Sequence, residues 1–138
     1  MKTHQFHDLK LNDSEAFNVI ITEKMMADFC LISGDNNPLH VDEAYAIENG
    51  FENRVVYGLL VSSFYSRLVG RHLPGKHALL HGIDIAFKKP VYVGDCLTVY
   101  GEITHLNAAY QQIEVQATIT NQENLVVSKA KIKVGLHG

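Results

Sequence analysis

The stretch GLLVSSFYSRLVGRHL, residues 58–73, is the most apolar segment of the chain and decides how the rest is arranged. Its apolar residues recur at helical spacing and cover most of the circumference, whereas a helix on a protein surface shows a narrower apolar stripe. The stretch therefore predicts a helix that is buried nearly all round. Gly58 opens this helix, and Pro74 and Gly75 end it.

Three segments downstream alternate apolar and polar residues, as half-buried strands do. They are CLTVYGEITHL at 96–106, QQIEVQATIT at 111–120 and SKAKIKV at 128–134. A further strand is expected to run through Phe87 and to be broken at Pro90 and Gly94. Because the apolar residues of the three alternating segments fall on one face, they predict an antiparallel meander with one solvated face.

The segments before residue 58 predict one strand and two shorter helices. Residues 16–21, AFNVII, are β-branched and apolar enough for a first strand. Thr22 offers an N-cap for the helical pattern EKMMADFCLIS, residues 23–33, which Gly34 ends. Asp42 is placed to cap a second helix that runs through Asn49 and closes at Gly50.

One sheet with a single apolar face needs a cover, and only one helix is apolar enough to supply it. The chain therefore predicts an α+β fold in which a curved antiparallel β-sheet wraps around a long central α-helix. The edge of such a sheet also needs a partner. We expect two copies to pair edge to edge as a symmetric homodimer, with a cleft at the seam.

Composition and charge narrow the classes of function. The 138 residues suffice for one domain, 1–138, and the fractions of hydrophobic (46%) and charged (20%) residues are those of an ordinary globular protein. The net charge of -3 predicts no binding to nucleic acid or to an anionic membrane. Because the opening MKTHQFHDLK lacks an apolar signal region and no segment is long enough to span a bilayer, a cytoplasmic protein is expected.

The cysteine and histidine spacings predict neither a disulfide nor a cofactor. Cys30 and Cys96 lie 66 positions apart, and both are expected to be small buried hydrophobes. Eight histidines keep a metal site open. However, HQFH at 4–7 and the three residues His72, His77 and His81 lack a second pair of ligands at a recognised spacing. We therefore expect no metal and no cofactor.

The segment SGDNNPLHVDEAY, residues 33–45, places an Asp and a His five positions apart in backbone rich in Gly, Asn and Pro, which predicts an irregular loop. A carboxylate and an imidazole that converge on one water make a general acid/base pair. Asp35 and His40 are thus candidate catalytic residues. The alternative is a capped turn, in which Asp35 binds local amides and His40 packs against the following helix.

Three ordered motifs resemble those of one family. The residues FCLISGDNNPLHVDEAYA, 29–46, resemble the hydratase motif of the MaoC-like, (R)-specific enoyl-CoA hydratases, a branch of the hot-dog fold superfamily. VVYGLLVSSFYSRLVGRHLPG, 55–75, is similar to the central helix of that family, and FKKPVYVGD, 87–95, to the strand that follows the helix. The resemblance covers roughly residues 15–136 and implies a hot-dog fold.

The resemblance also implies a reaction, namely syn addition of water to a trans-2-enoyl thioester, or the reverse dehydration of an (R)-3-hydroxyacyl thioester. Asp35 and His40 match the catalytic pair of the family. Gly58 matches the donor of the amide that stabilises the thioester oxyanion, at the positive end of the central helix. Asn37 is implied as support for this pair rather than as a reactant.

Other matched positions leave alternatives open. Ser66 matches a serine of the family active site, and the alternative is a helix hydroxyl that bonds a carbonyl one turn back. Lys88 and Lys89 are candidate contacts for the phosphates of coenzyme A or of an acyl carrier protein, and the alternative is a solvated strand end. The sequence departs from the family at Tyr57, where many members have His, and this puts the match of the pocket wall in doubt.

Two other functions remain open on the sequence alone. A thioesterase would direct water at the thioester carbonyl with the same carboxylate, although the presence of His40 beside Asp35 argues against it. An acyl-thioester binding protein would keep the fold without the activity. Neither the acyl chain length nor the carrier of the thioester follows from the sequence.

Overall fold

The computed structural model describes residues 1–138 and contains one five-stranded antiparallel sheet. The strands are β1 (Ser14–Ile20), β2 (Ala78–Phe87), β3 (Cys96–Asn107), β4 (Gln112–Thr120) and β5 (Val126–Leu136), in the order β1-β3-β4-β5-β2. The helices are α1 (Glu23–Ser33), α2 (Pro38–Val41), α3 (Glu43–Glu48) and α4 (Gly58–Arg67). A 3-10 turn at Phe6–Asp8 precedes β1, and a π-helical turn at Leu68–His72 continues α4.

The predicted meander is confirmed, because β3, β4 and β5 pair in sequence order and all pairs are antiparallel. The predicted inward faces are also confirmed. Val99, Val115 and Ile132 are fully buried, whereas the lysines between the buried residues of β5 are exposed. β1 begins and ends slightly earlier than predicted, at Ser14–Ile20, since its ladder with β3 runs from Glu102 to Cys96.

The helix α4 and its π-helical extension cover the apolar face of the sheet. Their buried apolar side chains belong to a single core cluster of 25 residues. The approach is close at Gly101 of β3, where a Cβ atom would lie 2.6 Å from Cδ2 of Leu68. Tyr65 fixes the same helix to β5, because its buried hydroxyl donates a hydrogen bond to Oγ of Ser128 at 2.8 Å.

The prediction that the central helix is buried nearly all round is wrong along one stripe. Leu59 is 66% exposed, and Ser63, Ser66 and Arg67 on the following turns are exposed as well. The reason is geometric, since one sheet covers only the side of a helix that faces it. The stripe therefore leaves part of α4 without a partner within this chain.

The predicted capped helices are confirmed. Thr22 Oγ1 accepts a hydrogen bond from the Met25 amide, and Gly34 ends α1 with a left-handed backbone at φ 73°. Asp42 caps α3 in the same way. The prediction that the whole segment between these helices is irregular is wrong for residues 38–41, which form the one-turn helix α2 with Pro38 in its first turn.

Strand β2 forms one edge of the sheet, where its ten residues pair only with β5. Four large apolar side chains on it are exposed, Leu79, Leu80, Ile83 and Phe87.

No helix of the chain has the length and apolarity of a membrane span.

Candidate active site

His40 lies in α2, and the residues before it explain how this short helix forms. Pro38 has its φ angle preset for a first helical turn. Asn37 is the N-cap, and its Oδ1 accepts a hydrogen bond from the Leu39 amide at 3.0 Å. The Leu39 carbonyl in turn accepts a hydrogen bond from the Val55 amide, which ties α2 to the segment leading into α4.

The imidazole of His40 has a defined tautomer. Its Nδ1 lies 2.6 Å from the carbonyl oxygen of Val55. A carbonyl oxygen only accepts hydrogen bonds, so Nδ1 must carry the proton that is shared with it. In the neutral ring Nε2 is therefore the unprotonated nitrogen. It is the atom that is free to accept a proton from a water molecule.

Asp35 lies in the exposed loop between α1 and α2. Its Oδ1 accepts a hydrogen bond from the Asn37 amide at 3.1 Å, as the capped-turn alternative requires. Its other oxygen, Oδ2, accepts no hydrogen bond from the chain. The carboxylate is thus oriented by its own loop through one oxygen, while the second remains available to a water or a ligand.

Tyr57 contacts both of these residues. Its hydroxyl donates a hydrogen bond to the backbone carbonyl of Asp35 at 2.6 Å. Its ring stacks on the imidazole of His40, with ring centroids 4.1 Å apart, and contacts the ring of Phe29 in a tilted arrangement, with centroids 4.7 Å apart. The tyrosine is 2% exposed and is the residue from which α4 begins.

Gly58, the first residue of α4, leaves an unpartnered amide at the start of the helix. The N-cap residue Tyr57 provides no side-chain cap, and the Gly58 amide donates no hydrogen bond within the chain. A Cβ atom at this position would lie 3.0 Å from the ring of Phe87. Glycine therefore allows the aromatic ring to approach the helix terminus while the amide stays accessible.

His40 and Gly58 line the same cavity, which has a volume of about 340 Å³. Its walls are mostly apolar and include Phe51, Val56, Val61, Phe87, Val91 and Val127. Lys88 and Lys89 supply its charged groups. A larger groove of about 520 Å³ lies on the solvated face of the sheet, among polar residues such as Gln116, Thr118 and Lys131. We place the candidate site in the smaller cavity because it is lined both by His40, which carries the imidazole, and by Gly58, whose amide is unpartnered within the chain.

The predicted site residues fall into three groups. His40, Gly58, Lys88 and Lys89 line the cavity. Asp35 and Asn37 lie in the adjoining loop and do not line it. Ser66 lies on the exposed stripe of α4, where it neither lines the cavity nor bonds a carbonyl one turn back. The neighbouring hydroxyls of Ser62 and Ser63 make bonds of that second kind, to the Gly58 and Leu60 carbonyls.

The cavity also contains residues that the sequence analysis did not single out as site residues. Phe51 and Phe87 form aromatic walls of the cavity. The sequence signal that could have identified them is an aromatic residue near a helix that begins with glycine. The Val55 carbonyl that orients His40 is a backbone group, so no side-chain pattern points to it.

Arg54 forms a two-bond salt bridge with Glu23, each contact 2.6 Å long. No group of three or more His, Cys, Asp or Glu side chains is arranged to hold a metal ion.

The chain matches a known protein family. The family profile described as MaoC like domain matches residues 11–125. The chain belongs to this family. A relative from Aeromonas caviae named (R)-specific enoyl-CoA hydratase is 44% identical over 81 residues, which span 59% of this chain and 60% of that one. A relative of the same name from Rhodospirillum rubrum is 32% identical over 136 residues, 98% of this chain and 94% of that one.

A solved structure supports the same family at the level of the fold. The (R)-hydratase from A. caviae superposes with a TM-score of 0.89 at 32% identity, covering 94% of this chain and 98% of that one. The predicted α+β hot-dog fold and the resemblance stated above are confirmed. The enzyme names of these relatives denote hydro-lyases.

We expect Tyr57 and Tyr65 to ionise last among the six tyrosines. Burial, as the main cause, raises the pKa of each phenol to about 12. An unfolded tyrosine ionises at about pH 10, so the stability from these neutral phenols is complete below about pH 10 and is lost as the pH rises through about 12. The measurement is an alkaline absorbance titration of the tyrosines in the wild type, in Tyr57→Phe and in Tyr65→Phe.

Each variant should lack one late-ionising phenol. Ionisation of all six tyrosines at about pH 10, in a protein whose circular dichroism is still native, would contradict the assignment.

Proposed function

We propose that this chain is an (R)-specific enoyl-CoA hydratase, or (R)-3-hydroxyacyl thioester dehydratase, which adds water to trans-2-enoyl thioesters with syn stereochemistry. The observation that carries the proposal is the cavity that both His40 and Gly58 line, where Nε2 of His40 lacks a proton in the neutral ring and the Gly58 amide is unpartnered within the chain. Membership of the MaoC-like family and the names of its (R)-hydratase relatives support the choice of substrate.

In this proposal Asp35 and His40 hold and deprotonate the water. Val55 keeps the proton on Nδ1, so Nε2 is the base that accepts a proton as the water oxygen attacks C3. The free Oδ2 of Asp35 accepts a hydrogen bond from the same water and orients its lone pair. The protonated Nε2 of His40 then returns its proton to C2 on the same face, which gives the syn product and restores the neutral imidazole.

The Gly58 amide is the proposed donor to the thioester oxygen. Negative charge moves onto that oxygen as hydroxide adds to C3, and a preorganised N–H at this point stabilises the transition state by about 3–4 kcal/mol. The N-terminal end of α4 adds a favourable partial positive charge. The apolar walls of the cavity exclude water and strengthen both interactions.

Asn37 supports this arrangement without reacting. Its side chain caps α2, and its backbone N–H donates a hydrogen bond to Oδ1 of Asp35. It therefore links the carboxylate to the helix that carries His40.

We further propose that residues 1–138 are a single MaoC-like hot-dog domain that works as a homodimer in the cytoplasm. The support for a dimer is the exposed apolar edge strand β2 together with the exposed stripe of α4. Edge pairing would satisfy the free ladder groups of β2 and cover Leu59. Ser66 lies on the same stripe, so any role for it at the active site depends on the partner copy.

Lys88 and Lys89 are the proposed contacts for the phosphates of the thioester carrier, because they are the charged groups of an otherwise apolar cavity. Both follow Phe87, whose ring packs against Gly58. A carrier that places its thioester at Gly58 therefore passes close to two ammonium groups.

Asp35→Asn and His40→Ala should each lower kcat for hydration of crotonyl-CoA by about 10²–10⁴-fold, because a general acid/base pair acts in the transition state. The assay follows loss of absorbance of the conjugated double bond, and thermal unfolding checks that the variants fold. Asp28→Asn and His105→Ala are matched controls on exposed residues away from the cavity, and they should keep wild-type rates.

The same assay separates the alternatives. Near-normal turnover by Asp35→Asn or His40→Ala would remove the proposed mechanism. Release of free thiol from a saturated acyl-CoA at a rate above hydration would instead indicate a thioesterase. Tight acyl-CoA binding without any change of the enoyl chromophore would indicate a binding protein.

Replacing both Lys88 and Lys89 by Ala should raise KM for crotonyl-CoA by about 3-fold to 10-fold with little change in kcat, since two exposed charges contribute modestly to binding. The difference in KM between this variant and the wild type should become smaller at high salt. The double variant of Lys10 and Lys133 to Ala removes the same charge elsewhere. An equal rise of KM in that control would show that net charge alone is responsible.

Light scattering after size exclusion should give the mass of a dimer for the wild type. Ile83→Lys should shift it toward the monomer, because a lysine on an edge strand opposes pairing. Leu11→Lys is the control, as Leu11 is 55% exposed but lies outside β2 and α4. A monomeric wild type, or a dimer unaffected by Ile83→Lys, would contradict the proposed interface.

A further inference from the structure

We propose that Tyr57 is a positioning residue for the hydration reaction, whose hydroxyl holds the Asp35 backbone while its ring holds the His40 imidazole. The inference rests on the proposed hydratase function. It goes beyond it because the tyrosine touches no reacting atom in that mechanism. Its effect is to fix two separate groups relative to the Gly58 amide.

The hydroxyl of Tyr57 makes the one hydrogen bond that joins the Asp35 loop to a distant part of the chain. Its donor and acceptor are 22 positions apart in sequence. Every other hydrogen bond of residues 34–37 joins residues no more than four positions apart, such as those of Asp35 with Ser33 and Asn37. Local bonds shape a loop, but they do not fix where it lies against the rest of the protein.

The ring of Tyr57 packs against one face of the His40 imidazole. The two rings are stacked at 29° with centroids 4.1 Å apart, and Phe29 contacts the tyrosine ring in turn. Nδ1 of the imidazole is already held by the Val55 carbonyl. One hydrogen bond allows the ring to rotate about it, and the stacking contact removes this freedom, so that Nε2 keeps one direction.

The position of Tyr57 in the chain couples these contacts to the helix terminus. It is the N-cap residue of α4, and the next amide is that of Gly58. A shift of the tyrosine ring therefore moves the carboxylate loop, the imidazole and the oxyanion donor relative to one another. A single buried residue therefore adjoins all three parts.

The phenol acts as a donor over the whole range in which the enzyme is assayed. Burial, as the main cause, raises the pKa of Tyr57 to about 12. The hydroxyl proton that reaches the Asp35 carbonyl is consequently present at neutral pH.

A purely structural tyrosine would fill the same space without affecting the chemistry. Tyr57→Phe separates the two possibilities, because phenylalanine keeps the ring and its contacts with His40 and Phe29 and removes only the hydroxyl. Tyr65→Phe is a matched control. Tyr65 is fully buried, and its hydroxyl also donates one long-range hydrogen bond, to Ser128 in the core.

We expect Tyr57→Phe to lower kcat for crotonyl-CoA by about 10-fold to 100-fold with KM changed by less than about 3-fold, since misplacement of reacting groups by about 1 Å has an effect of this size. The pH profile of kcat/KM should shift as well. Tyr65→Phe should show a similar loss of thermal stability with wild-type kcat. Hydrogen exchange of the peptide containing residues 34–37 should be faster in Tyr57→Phe than in Tyr65→Phe.

The outcomes distinguish this inference from the proposed function. If the wild type hydrates crotonyl-CoA and Asp35→Asn abolishes the activity, but Tyr57→Phe and Tyr65→Phe have equal kcat, the positioning role is overturned and the hydratase stands. Equal exchange of the loop in the two variants also overturns it. If the wild type shows no hydration at all, the proposed function itself fails.

Discussion

The packing of α4 onto the apolar face of the sheet is the constraint on which the rest of the molecule depends. A sheet whose strands alternate in polarity has one face to bury, and the chain offers one helix to bury it. The contact is close enough that Gly101 has no room for a Cβ beside Leu68. Once the helix is fixed, its first residues are fixed too, and these are Tyr57 and Gly58.

The site follows from that placement. An apolar helix that begins with glycine exposes an amide at its positive end, in a cavity whose walls include the core residues Val56, Val61, Val91 and Val127. The loop and the one-turn helix before it are anchored to the same region by Val55, through its amide and its carbonyl, and by Tyr57, through its hydroxyl and its ring. The imidazole of His40 and the Gly58 amide are thus held in fixed positions, which suits the proposed reaction, in which charge moves over a few ångströms.

The sequence predicted those features that depend on local pattern. The period-two alternation gave the faces of β3, β4 and β5, and the caps at Thr22 and Asp42 marked the starts of α1 and α3. Features that depend on contacts between distant residues were not predictable in this way. The hydrogen bond from Tyr57 to Asp35 spans 22 positions of the sequence. Helix α2 has only four residues, which is too short to show a helical periodicity. The exposed stripe of α4 reflects how much of a helix one sheet covers. The family resemblance supplied the reaction, whereas the tautomer of His40 required the position of a backbone carbonyl.

The most direct test of the account is a crystal structure of the Asp35→Asn variant with a bound trans-2-enoyl thioester. The account predicts that the thioester oxygen lies about 2.7–3.1 Å from the Gly58 amide nitrogen, with C3 of the substrate facing Nε2 of His40 across one water molecule. A thioester bound elsewhere, such as in the groove on the solvated face of the sheet, or bound with its oxygen away from Gly58, would contradict it.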